Sequence, residues 1–136
     1  MGMALSTYQQ PLPEDRWAEA ARGHRSDGSE VEGEWHSYPE QAAAGLWTTP
    51  TELARVSVHL LRILSGEITD GVLSQGMLEQ MLTPNHDGAE GFNNQGLGFG
   101  LGEPEGHAAF GHGGANEGFR ASWSVLRDLE MGYAIM

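Results

Sequence analysis

The feature that most constrains the fold is the glycine-broken alternation between Gly96 and Met136. Phe119, Ala121, Trp123 and Val125 alternate with Arg120, Ser122 and Ser124, which gives a strand one apolar and one polar face. Asn116-Glu117-Gly118 precedes this strand as a turn, and Arg127 to Glu130 follows it as another. Upstream, Gly96 to Leu101 and Ala108 to Gly113 read as strands joined by a turn at Gly102 to Gly106 that contains Pro104. Gly132 to Met136 begins a fourth strand. The expectation is an antiparallel β-meander of three to four strands.

Two helices accompany it. Thr49 can cap a helix that opens on Pro50, and Glu52 completes a T-x-x-E box. Leu53, Val56, Leu60 and Leu64 recur at helical spacing, with Glu52, Arg55, His59 and Arg62 as the wet stripe. Gly66 ends this element, so the expected span is Pro50 to Ser65. A second helix is expected from a cap at Ser74 through Leu82, with Met77, Leu78, Met81 and Leu82 inward and Pro84 as the stop. Earlier, Leu12 between Pro11 and Pro13 is extended, and Glu14 to Arg22 predicts a short helix with Trp17 and Ala21 on one face. Gly23 to Tyr38 is a polar excursion with a turn at Ser26-Asp27-Gly28, anchored by Trp35 and Tyr38. The small residues from Pro39 to Trp47 predict a tightly packed backbone, and Asn85 to Gln95 a polar loop. The fold class is therefore α+β: a single domain over residues 1–136 with two main helices beside the meander.

Charge narrows the chemistry. The chain carries 7 basic residues against 19 acidic ones, a formal net charge of −12. All the basic residues are arginine. A P-loop lysine, a Schiff-base lysine and the lysine of S-x-x-K are thereby excluded from this chain. Nucleic acid and acidic membrane surfaces are repelled. Without cysteine there is no disulfide or thiolate site. His24, His36, His59, His86, His107 and His112 are scattered and form no H-x-x-x-H, and Asp87, Glu90, Asn93 and Asn94 lack EF-hand spacing. No metal and no cofactor are expected. With no signal peptide and only short apolar runs, a soluble protein is expected.

One stretch combines residue type, order and setting in a way that suggests chemistry: Phe110-Gly111-His112-Gly113-Gly114-Ala115-Asn116-Glu117-Gly118-Phe119. Glycines allow another molecule close to the backbone. An imidazole there can exchange a proton near neutral pH. The alternative is a glycine-rich hairpin whose histidine faces water.

Four segments, in the right order along the chain, resemble serine β-lactamase-like hydrolases, the superfamily of class C β-lactamases, D-alanyl-D-alanine carboxypeptidases of the penicillin-binding type and related esterases. Ala42-Ala43-Ala44-Gly45-Leu46-Trp47-Thr48-Thr49-Pro50-Thr51-Glu52-Leu53-Ala54-Arg55 is similar to a segment that leads into a helix in these proteins. Leu97-Gly98-Phe99-Gly100-Leu101 and Gly111 to Arg120 are similar to their later strands. The opening Gly2-Met3-Ala4-Leu5-Ser6-Thr7 is similar to the Gly-Met stretch after their central helical part. The resemblance covers nearly the whole chain but only the C-terminal portion of the family.

Such enzymes assemble their site from S-x-x-K, Y-x-N and K-T-G, the last often beginning with histidine. The resemblance implies that His112-Gly113-Gly114 is the third motif. His112 would then serve the catalytic hydrogen-bond network, and the Ala115 amide would donate to the oxyanion. Gly113, Gly114 and Asn116 would bind substrate along the strand edge. The other two motifs are missing. Tyr8, Tyr38 and Tyr133 are followed two residues on by Gln10, Glu40 and Ile135, not asparagine. Nucleophile, activator and base are therefore absent from this chain.

Two readings follow. In one, the chain is a C-terminal fragment of an acyl-transfer hydrolase, inert until a missing N-terminal half supplies the serine motif; a small-molecule acyl substrate is then the ligand. In the other, it is a non-catalytic binding or oligomer-forming protein derived from that fold, with self-association through an open sheet edge. The resemblance suggests a bacterial protein, of cytoplasm or periplasm.

Overall fold

The computed structural model describes residues 1–87 and 94–136. A six-stranded antiparallel sheet runs in chain order: β1 (His86–Asp87), β2 (Asn94–Gln95), β3 (Gly100–Gly102), β4 (Ala109–Asn116), β5 (Phe119–Leu126) and β6 (Met131–Ile135). The expected strands are present as β3 to β6. The meander is longer than expected because the polar stretch that reads as a loop also contributes β1 and β2. These are two residues each, too short and too polar to show alternation in sequence. Of the residues considered and set aside as metal ligands, Glu90 and Asn93 lie outside the described residues. β3 is also shorter than the expected Gly96–Leu101. Gly98 takes φ +78°, so Gly96 to Phe99 forms a turn, closed by the Gly96 amide donating to Phe99 O at 2.9 Å.

The helices are α1 (Gln41–Ala44), α2 (Pro50–Leu64) and α3 (Gln75–Met81). α2 begins as its sequence dictates, with the Thr49 hydroxyl accepting from the Glu52 amide at 3.2 Å and Pro50 at the first helical position. Ser74 caps α3 in the same way, accepting from the Met77 amide at 3.2 Å. α2 lies across β5 and β6 and touches α3. The core between them is Leu60, Ile63, Leu78, Leu101, Phe110, Trp123 and Val125. Phe99, Phe110 and Trp123 meet there, with ring centroids 5.4 to 6.0 Å apart. Burying a side chain as completely as Phe110 contributes roughly 1.5–3 kcal/mol. Trp123 also needs a partner for its indole N–H, and the buried Ser57 hydroxyl accepts it at 2.7 Å.

Three expectations about the helices need correction. Glu52 does not face water; it is 3% exposed. Its carboxylate turns to the N-terminal segment, accepting from the Leu5 amide at 3.0 Å and the Ser6 hydroxyl at 2.6 Å. Met77 is 51% exposed, because α3 is too short to bury more than the side around Leu78. Glu14 to Arg22 forms only a 3₁₀ turn, Glu14–Glu19, with none of its residues buried. Its Trp17 is held by the indole N–H donating to Leu12 O at 2.8 Å.

The excursion before α1 docks as its aromatics suggest. Trp35 packs edge-on against both Trp17 and Trp47, and Trp47 against Phe119. A turn with Gly28 at φ +84° joins His24 to Glu30, which pair as an isolated bridge. Gly45 shows how tightly the small-residue stretch packs: a Cβ there would lie 2.4 Å from Gln10 Nε2 and 2.6 Å from Gln41 O.

Candidate functional site

The glycine-rich stretch forms most of β4 and its turn into β5. Asn116 and Phe119 are paired, so Glu117 and Gly118 make a two-residue loop. Gly118 adopts φ +80°, and a Cβ on it would sit 2.5 Å from Val31 Cγ2 and 2.8 Å from Gly23. Glycine is required there both by backbone conformation and by space.

β4 has two edges with different fates. In an antiparallel ladder each residue sends its N–H and C=O to one side, and successive residues alternate. The Arg127 amide donates to Ala108 O at 2.7 Å, so Ala108 turns its carbonyl toward β5. Phe110, His112, Gly114 and Asn116 follow it. Ala109, Gly111, Gly113 and Ala115 therefore turn their backbone groups the other way. There Ala109 and Gly111 meet Gly102 and Gly100 of β3. β3 begins at Gly100, so beyond Gly111 this side of β4 has no strand partner among the described residues. Gly113 and Ala115 consequently present backbone groups on an open edge.

The side chains along this half of β4 leave it accessible. His112, Gly113, Gly114 and Ala115 are all exposed, whereas Ala109, Phe110 and Gly111 are buried. His112 pairs across the ladder with Trp123. Its Nδ1 contacts Gly113 O, the carbonyl on the open edge. Asn116 is set apart: its side-chain Nδ2 donates to Ala44 O at 2.8 Å, tying α1 to the end of the strand. The structure thus brings His112, Gly113, Gly114 and Ala115 onto one exposed strand half, with Asn116 turned into a structural contact at its end.

His112 does not line either of two clefts found elsewhere on the fold. One lies where α3 meets β3 and β4, bordered by Leu82, Leu101, Phe110 and Arg127. The other lies on the outer side of α2, bordered by Met1, Arg55, Val58, His59 and Arg62.

The sequence gives no sign of the contacts that surround the β4–β5 turn. Glu117 N–H donates to Tyr38 Oη at 2.9 Å, and His24 N–H to Gly118 O at 3.0 Å. Arg25 Nε reaches Glu117 Oε1 at 2.8 Å. Only the aromatic residue types of the excursion hinted that it docks on the body, not where.

A family model described as Beta-lactamase matches residues 1–136, the whole chain. No curated protein matches it.

Proposed function

We propose, for a chain that belongs to the beta-lactamase family, that the open half of β4 is the oxyanion wall of a serine acyl-transfer site. The substrates would be β-lactam, peptide or ester carbonyls. The observation that supports this most is the edge at Gly113 and Ala115, which has no strand partner among the described residues. An extended acyl substrate would pair with that edge as an added strand. The Ala115 N–H would donate to the oxygen that gains charge in the tetrahedral intermediate. His112, exposed one residue before the edge position Gly113, would exchange a proton with the reacting groups or orient them.

The attacking group has to come from elsewhere. The absence of lysine excludes the S-x-x-K activator, and no tyrosine stands in Y-x-N. One oxyanion donor without a nucleophile does not drive acyl transfer. The chain is accordingly proposed to be inert alone and completed by a polypeptide that carries those two motifs. The test is to mix the two and follow nitrocefin and p-nitrophenyl esters. Turnover in the mixture alone is the expected result. Hydrolysis by the purified 136-residue chain would overturn the claim of inertness, and an inactive mixture with demonstrated binding would overturn the claim of a site.

A second reading, a non-catalytic oligomer-forming protein, is favoured by β6. This edge strand carries no charge, and Met131, Tyr133 and Ile135 are 61%, 49% and 62% exposed. Uncharged apolar edges favour self-pairing. Light scattering decides it: a dimer or larger species converted to monomer by Ile135→Lys is expected, and a monomer peak for the parent chain at high concentration would end this reading.

A further inference from the structure

We infer that Tyr38 and Asn116 are positioning residues for the Ala115 amide, Tyr38 holding the β4–β5 turn from outside the sheet and Asn116, the last residue of β4, tying the strand end to α1; this rests on the oxyanion reading above. The turn is two residues long, and hairpin tips are ordinarily the least ordered part of a sheet. Here it is held on several sides by segments distant in sequence. Tyr38 Oη accepts the Glu117 N–H at 2.9 Å, across 79 residues. Ala44 O accepts from Asn116 Nδ2 at 2.8 Å, across 72 residues. The His24 amide binds Gly118 O at 3.0 Å, and Arg25 pairs with Glu117 at 2.8 Å. Within the hairpin, Arg120 Nη1 donates to both Asn116 O and Phe119 O at 2.8 Å.

Ala115 adjoins Asn116 and lies two residues from Glu117. Among the described residues it has a strand partner on only one side, so the ladder alone leaves its amide direction soft. Misplacing an oxyanion donor by a fraction of an ångström weakens the one interaction that strengthens as the reaction proceeds. The bonds made by Tyr38 to the Glu117 amide and by the Asn116 side chain to Ala44 O are the side-chain grips nearest Ala115 in sequence, and they are the ones that can fix that direction, whereas His24 bonds Gly118 through its backbone. The Arg25 pair is exposed and contributes little rigidity. The competing explanation is that these contacts merely dock the excursion, with the turn as a passive anchor. The two accounts differ in which part loosens when the grips are cut.

Tyr38→Phe removes the acceptor and keeps the ring; Asn116→Asp keeps the shape and removes the donor. Nitrogen relaxation of the chain gives the backbone order parameter at Ala115. It is expected to fall from about 0.85 toward about 0.6 in the double variant, with Val125 unchanged. If the double variant does not fold, each single variant is expected to show part of the drop. An unchanged Ala115 with loosening confined to Trp35 would overturn the inference. In the completed enzyme, the variants are expected to lower kcat about tenfold while KM moves less than about twofold, since the donor is loaded chiefly in the transition state. Equal changes in kcat and KM would also overturn it. An inactive wild-type mixture would instead count against the oxyanion reading, and the relaxation result would still decide the grip.

Discussion

At the scale of single residues, the chain is held by a few polar side chains whose partners lie far away in sequence. Glu52 was legible as a helix-entry residue and illegible as a buried one. The T-x-x-E pattern is local, but the groups that claim the carboxylate, Leu5 and Ser6, lie 47 and 46 residues upstream. The Ser6 hydroxyl first, then the Leu5 amide and the Arg55 charge, hold its carboxyl below the usual glutamate range, against burial, which pushes it up. A lowered folded pKa contributes stability that is present above the unfolded value of about 4.3 and is lost as pH falls through the folded value. The urea midpoint of the wild-type chain should therefore drop on acidification through that range, while Glu52→Gln, weaker at pH 7, should show a shallower drop. Parallel pH profiles for the two would contradict this. Ser57 offers a sharper test. Ser57→Ala strands the buried Trp123 indole N–H and should cost about 1–3 kcal/mol in chemical denaturation. In a Trp123→Phe background, where no donor is left, the same change should cost much less.

At the scale of elements, the alternation of Phe119 to Val125 and the caps at Thr49 and Ser74 were readable because each is local chemistry repeated at a fixed period. The 3₁₀ turn at Glu14–Glu19 and the exposure of Met77 were not, because both depend on which neighbours are available to pack against. β1 and β2 were missed for another reason: two-residue polar strands exist only through their pairing, β1 with β2 and β2 with β3. For the candidate site, the residue types from His112 to Ala115 were visible in the sequence. The edge that gives them meaning was not, since it depends on where β3 begins. The hairpin itself is testable at Gly118. Gly118→Ala puts a Cβ against Val31 and Gly23 at φ +80°, and should destabilise the chain by about 2 kcal/mol or more. An unchanged urea midpoint would show that the turn is looser than described.

At the scale of the whole molecule, an acidic chain with a formal charge of −12 folds around one modest core. Self-repulsion of that size opposes compaction and is screened by salt. Raising sodium chloride from about 20 to about 500 mM should raise the urea midpoint, and a fall would imply that the arginine pairs outweigh the repulsion. No helix among the described residues is long and apolar enough to cross a membrane. The family match spans the chain.

Everything proposed about function depends on the two-faced character of β4, and amide hydrogen exchange along His112 to Ala115 reads it directly. His112 and Gly114, turned toward β5, should exchange at least about a thousandfold more slowly than an unfolded chain, while Gly113 and Ala115, turned to the open edge, should exchange within about tenfold of it. Ala115 protected as strongly as Gly114 would mean that the edge is covered and that no substrate pairs there.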